Sequence, residues 1–225
     1  PAVPGQTVEG WKSTLETVTA LEPEHISAYS LIIEPGTPFY ELYGEEAPFR
    51  EDIPPLPGEE ADREMYHLTK ALLKRAGYER YEISNYAKPG FACRHNTGYW
   101  TRKNYLGLGL GASSLMENVR FSNTSEMKVY MEQPFSHTDI QKLDRNASME
   151  EFMFLGLRLT EGISRADFQK EFGTSIDLVY GSVLRRLKSE GLIGASGGRI
   201  FLTRYGIDVS NYVLAQFLLE TNEIH

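Results

Sequence analysis

The chain has 225 residues, of which 41% are hydrophobic, and a formal net charge of −8. This acidic balance argues against a general binder of nucleic acid or anionic membranes, because such a protein needs a basic surface. The chain contains no apolar run of transmembrane length and no opening signal peptide, so we expect no transmembrane segment. A single Cys excludes an internal disulfide and fits a reducing, cytoplasmic location. Because the first residue is Pro1 rather than Met, we interpret the chain as part of a longer protein.

The first half of the chain alternates predicted helices with predicted strands. Apolar spacing predicts a helix over 6–21 with Thr7 as its cap, and another over 59–76. The apolar run His25–Ile33 predicts a strand buried on both faces, as in a parallel sheet. Further strands are predicted over 78–86 and 104–115. The intervening residues 34–57 contain six prolines, which favour an irregular surface loop in the middle of the segment. At its start, beside Glu34, we expect a lid over the carboxyl ends of the strands, where ligands bind in parallel sheets. This rhythm predicts an α/β fold.

The second half has a different pattern. The sequence predicts three helices over 149–159, 164–173 and 176–190, a hairpin over 192–202 and a closing helix over 206–219. Three helices followed by a hairpin are typical of a winged-helix domain. We therefore predict two domains, residues 1–143 and residues 144–225. Residues 146–225 carry eight basic and ten acidic side chains, which makes DNA binding by this domain the less favoured interpretation.

The central stretch concentrates side chains that are rare in this chain. Cys93, His95 and Trp100 lie within eight residues, and glycines follow at alternate positions 107, 109 and 111. Glycine allows close backbone approach because it has no Cβ. Polar side chains beside a glycine-rich backbone favour a ligand pocket. We place this pocket in the central stretch, which we interpret as a hinge between the two halves of the chain. The glycine spacing does not match the dinucleotide-binding fingerprint.

Several strings along the chain resemble one family, the HemW-type haem chaperones. These belong with the oxygen-independent coproporphyrinogen III oxidases among the radical S-adenosylmethionine proteins. The resemblance is carried by Pro4–Thr7, His25–Leu31, Glu34–Phe39, Glu82–Ala87, His95-Asn96-x-x-Tyr99-Trp100, Tyr105–Gly109 and Leu157–Gly162. It implies that the first domain is the C-terminal part of an incomplete (β/α) barrel with extension strands.

The resemblance also implies a set of candidate binding residues. His95 becomes a candidate ligand of haem iron, since imidazole is a common haem ligand, and Tyr99 and Trp100 become candidates for packing on the macrocycle. The alternatives that the residues leave open are a purely structural His95 and ligation by Cys93. Backbone near Tyr29, Ser30 and Leu31 is expected near S-adenosylmethionine, and Gly107, Gly109 and Gly111 are expected to floor the barrel pocket. Arg94 and Arg120 are candidates for the porphyrin propionates.

Three departures from the family pattern concern the chemistry of this chain. Family members hold a four-iron four-sulfur cluster on C-x-x-x-C-x-x-C, whereas this chain has one Cys. The Gly-Gly-Glu-type segment that meets the cofactor's methionine is also absent. We therefore expect that the chain alone does not cleave S-adenosylmethionine. Ser113 stands where relatives often have His, so any role of that His is in doubt here.

The resemblance thus predicts a protein that binds haem and delivers it to acceptors, with haem-accepting respiratory proteins as candidate partners. One alternative is the oxidase that converts coproporphyrinogen III to protoporphyrinogen IX by radical oxidative decarboxylation. Another is a winged-helix binding module on an inert barrel fragment. Turnover of coproporphyrinogen by the full-length protein separates the first two, and retention on DNA at physiological salt would favour the third.

Overall fold

The computed structural model describes residues 1–48 and 50–219. The chain forms two compact units, Pro1–Ala92 and Cys93–His225, and each mixes helices with short strands. Within the described residues the strands form three sheets of three strands each, and every strand pair is antiparallel. No helix in this part of the chain has the length and apolar character needed to cross a membrane. The predicted mixture of helix and sheet is therefore confirmed, whereas the described residues of the two units contain no closed barrel.

The first unit packs two long helices against a small sheet. Its elements are α1 (Val8–Ala20), β1 (His25–Ser27), α2 (Pro38–Tyr43), α3 (Glu59–Arg75), β2 (Glu79–Arg80) and β3 (Asn85–Ala87), with sheet order β1-β3-β2. The predicted cap of α1 is confirmed, since the Thr7 hydroxyl accepts a hydrogen bond from the Gly10 N–H at 3.1 Å. The core of the unit consists of Leu15, Ile26, Leu73, Tyr78 and Tyr86.

Two strand predictions in this unit are wrong. The expected buried strand His25–Ile33 is only three residues long and pairs antiparallel with β3, not parallel. After it, the Ala28 N–H donates to the Ser84 carbonyl at 2.9 Å and Ile32 is 75% exposed, so the apolar run leaves the sheet. The single strand expected over 78–86 is two short strands, because the chain turns between them at the buried Glu82, whose Oε1 accepts from the Ser84 N–H at 2.9 Å.

The second unit contains two small sheets and seven helices among its described residues. Its elements are α4 (Arg94–Trp100), β4 (Ser113–Met116), β5 (Val119–Asn123), α5 (Met127–Glu132), β6 (His137–Lys142), α6 (Arg145–Gly156), β7 (Ile163–Ser164), α7 (Arg165–Phe172), α8 (Ile176–Ser189), β8 (Ile193–Ser196), β9 (Arg199–Leu202), α9 (Arg204–Asp208) and α10 (Ser210–Ala215). The sheet orders are β4-β5-β6 and β7-β9-β8.

The elements predicted for the last third of the chain are largely present. Ser164 caps α7 as expected, its hydroxyl accepting from the Asp167 N–H at 3.1 Å, and the hairpin β8–β9 follows α8. The closing helix expected over 206–219 is instead divided into α9 and α10. One continuous core joins these elements, with fully buried Met153, Phe168, Leu187, Val213 and Phe217.

The expected strand over 104–115 is also wrong. Only Ser113–Met116 is a strand, and the glycines before it lie in a loop where Gly109 has φ +101° and Gly111 φ +67°. Such angles are incompatible with an extended ladder. The strands β5, β6 and β7 were not predicted.

The predicted domain boundary, between residues 143 and 144, differs from the division into compact units at Ala92 and stays a prediction. We expect limited proteolysis of the full-length protein to cut first within 41–57 or within 139–148. All six residues of β6 are exposed, and residues 44–48 and 50–57 contain neither helix nor strand. Mass spectrometry of the first fragments tests this, and a first cut within 78–115 would contradict it.

Candidate functional site

The candidate ligand His95 lies on a helix rather than in the expected hinge loop. Helix α4 begins after Cys93, which is half-buried and free and provides no side-chain cap. His95 is exposed in the first turn, and its ring packs edge-on against Tyr99 with centroids 4.6 Å apart. Tyr99 in turn packs edge-on against Tyr105 at 4.5 Å. Because residues four apart share a helix face, α4 brings His95 and Tyr99 together.

The imidazole of His95 is available to a ligand. Among residues 1–48 and 50–219 neither of its ring nitrogens has a hydrogen-bond or ion-pair partner. By contrast, His25 Nε2 lies 2.8 Å from the Tyr81 hydroxyl. A structural role for His95 based on hydrogen bonds, which the sequence left open, therefore finds no such bond within the described chain. A neutral imidazole with a free nitrogen is a donor that haem iron takes from proteins.

The glycines expected to floor a pocket form a tightly held loop that follows Tyr105. The side chain of Asn123, which is buried, donates to the carbonyls of Gly107 at 3.2 Å and Gly109 at 2.8 Å. The Gly107 N–H donates to the Ser114 hydroxyl at 3.0 Å. Between these anchors the loop exposes Leu106, Leu108 and Leu110, at 60%, 85% and 41% of their surface. The loop thus presents an apolar ridge on a fixed backbone.

We predict that Gly107→Ala disrupts this loop. An added Cβ would lie 2.3 Å from the Ser113 carbonyl oxygen, and neighbouring backbone cannot yield as a flexible side chain can. The expected loss is about 1–3 kcal/mol of unfolding free energy, measured by urea denaturation. Gly98→Ala in α4 is the matched control, because nothing lies within 4 Å of its added Cβ. If both variants unfold at the same urea concentration, the close approach at Gly107 does not constrain the loop.

An ion-pair network lies beside the site and engages one of the predicted arginines. Arg120 donates to Glu151 Oε1 at 2.8 Å, so this candidate for a propionate already has a carboxylate partner. Arg102 contacts the same carboxylate at 3.3 Å and also reaches Glu171 at 2.6 Å. The other candidate, Arg94, is exposed and has no ion-pair partner within the described residues. Sequence reasoning missed Arg102 and Glu151, because ion pairs between distant segments leave no local pattern.

Trp100, the last residue of α4, contacts an arginine that the sequence interpretation passed over. The guanidinium carbon of Arg158 lies 4.4 Å from the centroid of the Trp100 ring. The only signal for Arg158 was its place in the string Leu157–Gly162.

Ser113, at the start of β4, is exposed, and its hydroxyl lies 3.1 Å from the Ser122 hydroxyl.

Tyr29, Ser30 and Leu31 lie in the other compact unit, after the end of β1. The Tyr29 hydroxyl accepts from Asn85 Nδ2 at 2.9 Å, and the Ser30 hydroxyl donates to Asp62 at 2.9 Å. Asn85 Nδ2 also donates to Glu82, whose other carboxylate oxygen is buried with no hydrogen-bond partner among the described residues.

The residues of this chain do not fit an iron–sulfur cluster. Such clusters are held by several cysteine thiolates, and the chain has only Cys93. Within residues 1–48 and 50–219, no three His, Cys, Asp or Glu side chains are grouped as a metal site.

Comparison with known proteins identifies one domain in the chain and a group of similar proteins. Residues 143–209 match the family model of the HemN C-terminal domain. The chain is 37% identical to the heme chaperone HemW of Bacillus subtilis over 222 residues and 34% identical to that of Lactococcus lactis over 221 residues. Each alignment covers 97% of this chain. The chain is therefore similar over almost its whole length to the heme chaperones named HemW, and residues 143–209 carry the HemN C-terminal domain.

The resemblance predicted from the sequence is thereby confirmed. The chain spans just over half the length of the HemW relatives it matches, 57% of each of these two. A solved structure, described as coproporphyrinogen III oxidase (HemN) from Escherichia coli, a radical SAM enzyme, superposes with a TM-score of 0.76 at 18% identity. That match covers 96% of this chain and 53% of the oxidase. At this identity the likeness concerns the fold, and this chain shares the fold of that part of HemN.

Proposed function

We propose that this chain is part of a HemW-type haem chaperone and that His95 is its protein ligand to the haem iron. The observation that carries the proposal is the exposed imidazole of His95, which has no hydrogen-bond partner in the described residues and packs on Tyr99 at 4.6 Å. The similarity to relatives named heme chaperone HemW supports the choice of ligand.

The surface around α4 supports the binding of a flat, apolar macrocycle. The Tyr99 ring packs against Tyr105, and the exposed ridge of Leu106, Leu108 and Leu110 starts at the next residue. Contiguous exposed apolar side chains mark ligand or partner sites more often than ordinary surface. We propose that these leucines and the backbone of Gly107, Gly109 and Gly111 line the haem site or its contact with an acceptor protein.

The remaining parts of the family resemblance are also proposals. We propose that the backbone near Tyr29, Ser30 and Leu31 contacts S-adenosylmethionine in the full-length protein. We also propose that the elements from α6 to β9 form a winged-helix-like domain. The cluster that radical chemistry requires would need cysteines that this chain does not have, so the chain alone is not expected to cleave S-adenosylmethionine. Haem-accepting respiratory proteins are the proposed partners of the full-length protein.

The fold match to HemN keeps the oxidase as a second candidate. The full-length protein with a reconstituted cluster, S-adenosylmethionine and a reductant should bind haem stoichiometrically and form no protoporphyrinogen IX from coproporphyrinogen III. Absorbance spectroscopy follows the first reaction and chromatography of the porphyrins follows the second. Turnover of coproporphyrinogen without haem binding would establish the oxidase instead.

A further inference from the structure

Two nitrogen donors lie side by side in the second unit without an acceptor. Trp100 Nε1 and Arg158 Nε are both buried and have no hydrogen-bond partner within residues 1–48 and 50–219. The guanidinium carbon of Arg158 lies 4.4 Å from the centroid of the Trp100 ring. The rest of the Arg158 side chain likewise has no hydrogen bond or ion pair in the described part of the chain. The pair therefore brings a cation and an indole N–H to one place, and the buried nitrogen of each, Arg158 Nε and Trp100 Nε1, has no partner among the described residues.

Leaving such groups unpaired is unfavourable, so the pair calls for a partner. A guanidinium stays protonated, carries five N–H donors and accepts no hydrogen bond. A buried donor without a partner costs about 1–3 kcal/mol, and more when it is charged. Arg102, Arg120 and Arg199 in the same unit each have a carboxylate partner within 4.0 Å. Arg158 has no such partner within the described residues, and unlike the exposed Arg94 it has a buried nitrogen.

The local fold holds Arg158 in place without using its donors. Its neighbours Leu157 and Leu159 are 1% and 6% exposed, which fixes the backbone on both sides. A Cβ at Gly156 would lie only 2.4 Å from Ile163, so the end of α6 is closely packed. The face of the Trp100 ring attracts the cation electrostatically and consumes no N–H group. The guanidinium is thus positioned in advance while its N–H fork remains free.

We propose that Arg158 and Trp100 form a binding site for a carboxylate. A guanidinium matches a carboxylate with two parallel N–H···O bonds, and charge-assisted bonds of this kind are about twice as strong as neutral ones. The porphyrin propionate is the source of that carboxylate if the proposed function holds, since Trp100 lies on the same helix as His95. A small free carboxylate ligand is the other source of the same chemistry. The carboxylate site itself stands independently of His95.

The experiment compares metal-free protoporphyrin IX with its dimethyl ester, which lacks the negative charges. Both probes avoid iron ligation, so His95 does not influence the result. The full-length protein should bind the diacid about ten- to a hundredfold more tightly than the ester, as measured by quenching of protein fluorescence. Arg158→Gln should abolish that preference, and Arg158→Lys should restore only part of it because lysine lacks the planar fork. Arg185→Gln, which removes an exposed charge from α8, should keep the preference intact.

A second titration separates the two sources. In a background in which Trp11 and any Trp outside these 225 residues are replaced by Phe, so that Trp100 alone remains, succinate is added while the Trp100 emission is followed. One outcome is that the diacid and the ester bind equally well, while succinate shifts the Trp100 emission only when Arg158 is present. The carboxylate site is then supported, and its ligand is not a porphyrin. If Arg158→Gln changes neither titration, or weakens diacid and ester equally, the proposal is overturned. A failure of haem ligation at His95 would contradict the proposed function and leave these outcomes unaffected.

Discussion

Replacing His95 with Ala is expected to remove or shift the Soret band of haem added to the full-length protein. The coordinating nitrogen sets the ligand field of the iron, and Ala provides no donor atom. Tyr99→Ala should weaken haem binding without changing the ligand type, because aromatic packing contributes only about 0.5–1.5 kcal/mol beyond burial. Absorbance spectra of the ferric and ferrous complexes measure both effects.

Cys93 provides the matched control, since it lies two residues before His95 and is the rival donor. Cys93→Ala should leave the spectrum unchanged. Loss of the band in Cys93→Ala with retention in His95→Ala would reverse the ligand assignment. If neither change matters, haem binds elsewhere in the full-length protein and α4 serves another purpose.

Glu151→Ala is expected to destabilise the second unit strongly, although this side chain lies outside its apolar core. Glu151 is 8% exposed and joins Arg102 and Arg120, and the Arg102 side chain is itself only 4% exposed. Removing one partner of a buried ion pair leaves the other charge uncompensated, which costs about 3–5 kcal/mol. Arg102 keeps its contact with the more exposed Glu171, so we expect a loss at the lower end of that range. Urea denaturation followed by circular dichroism measures the loss.

Glu161→Ala tests whether burial is the cause. Glu161 also pairs with an arginine, Arg199, at 3.2 Å, but the two side chains are 67% and 36% exposed. Exposed pairs contribute about 0–1 kcal/mol, so this variant should unfold close to the wild type. Equal losses of unfolding free energy in Glu151→Ala and Glu161→Ala would show that the burial of Glu151 does not increase its contribution to stability.

The helices were more predictable than the strands, for a physical reason. In α3 the spacing of Met65 and Leu73 marks a buried face within one element, and both side chains are fully buried. Strands depend on partners that are remote in sequence. The apolar run His25–Ile33 indicates burial but not which segment pairs with it, and only its first three residues join the sheet. Exposed β6 pairs with β5 and has no apolar alternation to reveal it.

For the candidate site, the sequence indicates which residues to consider but not the elements that carry them or their contacts. The concentration of His95, Tyr99 and Trp100 was visible, but the helix that carries them was not, because Gly98 and Thr97 disfavour helix. The alternate glycines suggested a strand, whereas Gly109 at φ +101° requires a loop. Arg158 escaped attention because its contact with Trp100 exists only after folding.

The ion pairs of Glu151 show that the segment matched by the family model differs from the segment that folds as a unit. The HemN C-terminal family model begins at residue 143, yet Glu151 and Glu171 take their partners Arg102 and Arg120 from before that point. A truncated chain that starts at residue 144 would keep the two carboxylates and lose both arginines. The segment recognisable as an evolutionary module is therefore smaller than the segment that satisfies its own charges. Residues 93–142 and the module after them are expected to unfold as one cooperative body, so a ligand on α4 would also protect the distant hairpin β8–β9 from hydrogen exchange.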